Sequence, residues 1–154
     1  MVVRPAHFPE DTTSLLEIWR EFVASPSVSL AHQNNEAEFT DLPGKYAPPR
    51  GQVLLAEYGG WVAGCAAFRP VSDAICEMKR LYVRPAARGM GLGRQLVEHL
   101  IAKAKDAGYD EMRLDVRAEF THARRLYAEL GFGPAEPISF NPLPGTAFLG
   151  LKLR

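Results

Sequence analysis

Residues 76–94 read Cys76-Glu77-Met78-Lys79-Arg80-Leu81-Tyr82-Val83-Arg84-Pro85-Ala86-Ala87-Arg88-Gly89-Met90-Gly91-Leu92-Gly93-Arg94. Up to Val83 the stretch is strand-like, and Pro85 and the glycines after Arg88 end it. Three glycines at every second position then let the backbone turn tightly and point several N–H groups into one concavity. Behind them, residues 91–107 form the clearest helix of the chain. Leu92, Leu96, Val97, Leu100, Ile101 and Ala104 make one stripe, with Arg94, Glu98, Lys105 and Asp106 mainly off it. Gly108 sits where a left-handed cap belongs, and Lys103 and Lys105 suit the negative helix end. The helix start supplies unbonded N–H donors and the positive end of the dipole, and Arg88 and Arg94 add charge. The segment is a place to hold a phosphate or pyrophosphate. A bare G-x-G reads more simply as a tight turn at a strand–helix joint; the two arginines and the helix favour the anion.

Common nucleotide fingerprints do not match. A Walker A loop needs Gly-Lys-Ser/Thr, which the chain lacks. In G-x-G-x-x-G the third glycine would fall on Arg94 or Leu96, and residues 84–88 separate the strand from the glycines. NAD and simple NTP binding are disfavoured.

Outward from this core, a short strand is expected at residues 2–4, ended by Pro5. Residues 11–24 form an amphipathic helix with Leu15, Ile18, Trp19, Phe22 and Val23 on one face and Asp11 or Thr12 as cap. Residues 25–35 are a polar loop, 36–42 a short helix, and 42–51 a stiff Pro/Gly loop. The period then changes. Residues 53–57 and 61–69 are strands joined by Tyr58-Gly59-Gly60, a hairpin signal, and 75–83 is the next strand. Residues 112–116 make a strand and 120–130 a helix stopped by Gly131. Residues 132–138 and 147–153 make two last strands around Asn141-Pro142-Leu143-Pro144-Gly145. A meander followed by strand–helix–strand–helix–strand is an α+β pattern on one mixed sheet.

The 154 residues, at 17.0 kDa, suit one domain over residues 1–154. With 47% hydrophobic and 23% charged residues the composition is that of a folded globular chain, and disorder is excluded. Lys+Arg and Asp+Glu are both 18, so no overall basic field favours nucleic acid or anionic lipid. Two cysteines, Cys65 and Cys76, are too few for a disulfide scaffold. His7, His32, His99 and His122 show no metal-ligand spacing. The N-terminus lacks a signal-peptide core, and no apolar run approaches a membrane span. The expectation is a cytoplasmic protein with reduced thiols, no metal, no nucleic acid and no membrane partner; a homodimer stays open.

The residues resemble one family. Arg88-x-x-Gly91-x-Gly93 is similar to the R/Q-x-x-G-x-G/A pyrophosphate loop of the GNAT (Gcn5-related) superfamily of acyl-CoA-dependent N-acetyltransferases. The likeness extends upstream through residues 77–85, the family's fourth strand. Downstream it takes in Ala123-x-x-Leu126-Tyr127-x-x-x-Gly131-Phe132, the family's fourth helix and following strand. The resemblance implies a mixed central sheet of about seven strands with helices on both faces and a V-shaped splay between the fourth and fifth strands. It implies acetyl-CoA as cosubstrate, its pantetheine arm lying along the backbone of Leu81, Tyr82 and Val83. The pyrophosphate would take N–H groups from Arg88, Gly89, Met90, Gly91, Leu92, Gly93 and Arg94. The reaction it implies is direct attack by a primary amine, on a small molecule or peptide, in a ternary complex. A departure from the pattern is Phe120, where many members carry Asn.

By the same resemblance Tyr127 stands where the family aims a phenol at the cofactor sulfur as general acid. An ordinary phenol keeps its proton at neutral pH; spacing alone would read Tyr127 as a core aromatic. Glu77 stands where some members place a general base, and a carboxylate in a partly apolar cleft suits that role. Its plainer reading is a strand charge or a partner for Lys79. Cys65 and Cys76 read as small buried hydrophobes rather than acyl-transfer nucleophiles. His32 and His122 read as loop or surface residues, and Tyr46 and Arg50 as candidates for lining the acceptor side. Two other functions stay open: a non-catalytic acyl-CoA sensor with the same fold, and a nucleotide-binding module.

Overall fold

In the computed structural model, which describes residues 2–24, 35–138 and 145–154, the alternating apolar runs assemble into one seven-stranded sheet. Its strands are β1 (Val2–Pro5), β2 (Gln52–Tyr58), β3 (Trp61–Pro70), β4 (Ile75–Val83), β5 (Glu111–Val116), β6 (Gly133–Pro134) and β7 (Ala147–Lys152), in the order β1-β2-β3-β4-β5-β7-β6. Only β4 and β5 pair in parallel; the other neighbours are antiparallel. The helices are α1 (Thr12–Ala24), α2 (Asn35–Thr40), α3 (Leu92–Asp106) and α4 (Thr121–Glu129). Among the described residues no helix is long and apolar enough to cross a membrane.

Strand periodicity sorts the side chains into two cores. On one face Leu54, Ala66, Phe68, Cys76, Met78, Met112 and Leu114 meet Leu92, Leu96, Val97 and Leu100 of α3 and Tyr127 of α4. On the other, Val53, Leu55, Cys65, Ala67 and Tyr82 meet Leu15, Ile18 and Trp19 of α1, with Phe39 of α2 and Tyr46. Burying each of these Leu and Ile side chains stabilises the fold by about 1.5–3 kcal/mol. The β2–β3 turn uses Gly59 and Gly60 at φ 58 and 81, the left-handed pair that matches the strands' twist.

Several boundaries differ from the sequence expectation. Helix α1 starts at Thr12, and the Asp11 carboxylate bonds Arg4 at 2.8 and 2.9 Å and the His7 N–H at 2.7 Å. Helix α2 stops at Thr40 rather than 42, because Pro43 disfavours helical backbone at Leu42. A short 3-10 turn, Gly44–Tyr46, interrupts the expected loop. The strand expected at 132–138 shrinks to Gly133–Pro134, since Pro134 and Pro137 have no N–H to give a ladder. The expected loop over residues 25–35 lies, up to residue 34, outside the described residues, as do residues 141–144 of the last one.

Two irregularities shape β4. It pairs with β5 only at Ile75↔Glu111, Cys76↔Met112 and Glu77↔Arg113. Beyond that β4 runs on to Val83 with β3 on its other edge, while β5 keeps β7 as its other neighbour as far as Val116↔Ala147. This is the expected splay. In addition the β3–β4 register slips: Cys65 faces Tyr82 but Ala67 faces Lys79. The extra residue is a bulge at Arg80, whose φ is 62. The bulge shifts the alternation. Cys76 and Met78 face the α3 side before it, and Leu81 and Val83 pack on that side after it. Lys79 and Arg80 therefore follow one another on the α1 face.

Candidate active site

The glycine loop closes the open end of the splay. A 3-10 turn at Pro85–Ala87 leads from β4 into it. Gly89 and Gly91 have φ of 85 and 77, backbone that side chains resist, and a Cβ on either would meet nothing within 4 Å. The concavity is thus open, and Gly91 is also the residue from which α3 starts. Gln95 is the first to donate back to Gly91, at 3.2 Å. Among the described residues, the N–H groups of Gly89, Met90, Gly91, Leu92, Gly93 and Arg94 have no backbone acceptor. Met90 is exposed and Leu92 buried beneath the helix, so both offer the loop their backbone.

The two arginines differ. Arg88 is exposed; its Nε donates to the Val83 carbonyl at 2.9 Å and its guanidinium lies over the Tyr82 ring. Its charge stays beside the loop. Arg94 forms an ion pair with Glu129 of α4, so its charge is already partnered. Next to Arg88, Tyr82 and Val83 use their β3-facing edge to pair with Cys65 and Gly64, and among the described residues the edge of Leu81, Tyr82 and Val83 towards β5 carries no strand. The Tyr82 hydroxyl donates to Glu21 at 2.8 Å, and burial together with that carboxylate pushes its pKa up to about 12.

At the apex of the splay Glu77 is 6% exposed and accepts from Arg69 Nε at 3.2 Å. Arg69, rather than Lys79, is its partner. Arg69 Nη1 also donates to Glu38 Oε2 at 2.5 Å. Glu38 Oε1 accepts from Arg80 Nη2 at 2.6 Å and from the Tyr46 hydroxyl at 3.1 Å. Arg80 itself stacks against Trp19 and Phe39, 4.6 and 5.3 Å from their centroids. Burial works against the Glu38 carboxylate, but Arg80, Lys79 and Arg69 outweigh it and hold its pKa below the ordinary value. Burial, reinforced by Glu38, raises the Tyr46 pKa.

Tyr127 is buried on α4, its ring 5.5 Å from that of Phe132. Burial, and then Asp115 of β5, raises its pKa, so the phenol is protonated at neutral pH. Helix α4 starts from Phe120 without a side-chain cap. Burial pushes both thiols up to about 12, which makes Cys65 and Cys76 poor nucleophiles. His122 is exposed on α4, and His32 is outside the described residues.

Of the two acceptor-side candidates, Tyr46 joins the polar network and Arg50 does not. Arg50 stacks on Tyr109 at 4.0 Å and donates to the carbonyls of Ser72 and Asp73 at 3.1 and 3.0 Å, tying loops together. Sequence reasoning missed Glu38, Arg69, Lys79 and Arg80. Alternation puts Lys79 on the face of Glu77, a usable signal, but the register that sets Arg69 opposite Glu77 and the bulge that adds Arg80 leave no mark in the residue pattern.

The Acetyltransferase (GNAT) family profile matches residues 14–132. An uncharacterized N-acetyltransferase of Schizosaccharomyces pombe is 36% identical over 147 residues, 94% of this chain and 90% of that one. A GNAT-family acetyltransferase from Staphylococcus aureus Mu50 superposes with a TM-score of 0.82 at 18% identity, covering 99% of this chain and 100% of the other. A structure of yncA, a putative acetyltransferase from Salmonella typhimurium with its cofactor acetyl-CoA, superposes with a TM-score of 0.73 at 25% identity, covering 100% and 94%.

Proposed function

The chain belongs to the GNAT family of N-acetyltransferases, and from that premise we propose that it moves an acetyl group from acetyl-CoA to a primary amine by direct attack within a ternary complex, as one domain over residues 1–154. The observation that carries this reading is the parting of β4 from β5 after Glu77 and Arg113, beside a glycine loop at a helix start. An open strand edge accepts an amide-bearing arm, and unbonded N–H groups at a helix N-terminus accept a pyrophosphate. The residues fit acetyl-CoA on that ground: Leu81, Tyr82 and Val83 offer backbone to the pantetheine arm. Arg88, Gly89, Met90, Gly91, Leu92, Gly93 and Arg94 would hold the phosphates.

Acetyl-CoA supplies the activated thioester; the protein's groups do the rest. An amine must lose a proton to become a nucleophile, and Glu77 at the apex takes it directly or through a water. Arg69 holds that carboxylate in place. Backbone N–H groups of β4 at the bulge face the negative charge that grows on the carbonyl oxygen. Tyr127, kept protonated by burial, donates to the departing sulfur.

Thermal-shift titration with acetyl-CoA, longer acyl-CoAs, ATP and NAD tests the cofactor, since a ligand of the folded state raises the melting temperature by mass action. Thiol release in the presence of an amine panel tests turnover. Stabilisation by acetyl-CoA with amine-dependent thiol release is the expected result. Stabilisation without release from any amine replaces the enzyme with an acyl-CoA sensor. Stabilisation by ATP or NAD instead replaces it with a nucleotide-binding module.

A further inference from the structure

Among the described residues on the α1 face of the splay, Glu38 and Glu77 are the carboxylates that the ion pairs of Arg69 and Arg80 use. Glu38 spans Arg69 and Arg80, and Glu77 takes Arg69. Lys79 is the cation left over. Its side chain is partly buried, and among the described residues it makes no hydrogen bond or ion pair. Desolvation, and then Arg69, lowers its pKa, while Glu77 and Glu38 partly restore it. A cation held out of water without a partner is costly, and it is relieved by an anion of matching shape.

Strand alternation puts Lys79 on the same face as Glu77, two residues away along the strand, and the bulge adds Arg80 beside it. Strand geometry spaces two such positions by about 6.5–7 Å. With Glu77 as the base, an amine nitrogen lies near one end of that interval and Lys79 near the other.

Resting on the proposed acetyl transfer, we propose that the acceptor is a small amine that also carries a carboxylate, and that Lys79 is the specificity-determining residue that binds it. The carboxylate supplies the anionic partner that Lys79 lacks among the described residues, and the short interval limits the acceptor to a few bonds between amine and acid. Arg69 and Arg80, already bound to Glu38, hold the walls of the site.

The test compares amino acids with their carboxamides as acceptors, matched in side chain, with thiol release as readout and acetyl-CoA titration as control. Acids are expected to exceed their carboxamides in kcat/KM by about tenfold or more, the value of a charge-assisted hydrogen bond. In Lys79→Met that ratio should fall towards one, mainly through KM for the acid; in Lys79→Arg it should largely persist. Carboxamides used as well as acids by the parent protein overturn the carboxylate reading and leave acetyl transfer standing. A ratio unmoved in Lys79→Met overturns Lys79 as its reader. Acetyl-CoA binding with transfer to other amines but to no member of either series overturns the acceptor assignment alone, and no transfer to any amine overturns both proposals. The comparison of acceptors in the parent protein decides the carboxylate reading even if Lys79→Met fails to fold, and Lys79→Gln then tests Lys79 as its reader by the same ratio.

Discussion

Glu77 and Arg113 are the last backbone pair between the two parallel strands, and their side chains turn to different partners. Glu77 is held by Arg69 across the β3–β4 ladder, while Arg113 donates to Glu111 of its own strand at 2.7 Å. Among the described residues no ladder pair joins the two strands past this point. The ladder ends there, and the buried carboxylate is left at the head of the gap.

Glu77→Gln keeps the volume and a hydrogen-bond acceptor for Arg69 but removes the base. The expected fall in kcat at neutral pH is roughly 10²–10⁴, with acetyl-CoA affinity little changed. The rate should recover at high pH, where the amine loses its proton unaided. A Gln variant with full activity across the pH range shows that Glu77 is structural.

Gly91→Val places a β-branched residue at φ 77 and its methyl groups in the open concavity. Acetyl-CoA binding should be abolished in a protein that still folds. Calorimetric titration alongside a melting curve separates lost binding from lost structure, and unchanged affinity removes the loop from the site.

Tyr127→Phe removes the proton donor and keeps the packing against Phe132. It should lower kcat on the order of 10–10³ with little change in melting temperature. Tyr127→Ala should also cost about 3 kcal/mol or more of stability by emptying part of the core. If the Phe variant is as fast as the parent, Tyr127 only packs.

Burial raises the thiols of Cys65 and Cys76 to about 12, so almost no thiolate exists at pH 8. A disulfide reagent should react with both only on the timescale of unfolding, and Cys76→Ala should retain acetyl transfer. Rapid labelling of one thiol in the native protein, with parallel loss of activity, reverses this.

Arg4 lowers the Asp11 pKa from 3.8 to about 2, mainly through their hydrogen bonds, with help from the His7 N–H. A carboxylate depressed on folding stabilises above its unfolded value, and the gain disappears as pH falls from about 4 to about 2. Asp11→Asn should melt roughly 2–4 °C below the parent at pH 7. The difference should close in that acid window; a constant difference from pH 7 to pH 2 assigns the effect to packing.

The sequence determined the order and type of the elements, because hydrophobic period and Gly/Pro punctuation are local. The α3 stripe, the Gly59-Gly60 hairpin, the glycine loop and the Gly108 and Gly131 stops could all be read there, and the family motif pointed to the splay. Tertiary structure alone decided which polar residues share the site. Glu38 comes to Arg69 and Arg80 from a distant short helix, and pairing across such sequence separations leaves no local pattern. The bulge at Arg80 reverses strand alternation for reasons of β3–β4 register, so two successive cations face α1 where the period of two would divide them. Arg50, next to that site in expectation, is drawn off by Tyr109 and the carbonyls of Ser72 and Asp73. Residue type names the chemistry a side chain can do; its partners are set by how strands and helices pack, which depends on the whole chain at once.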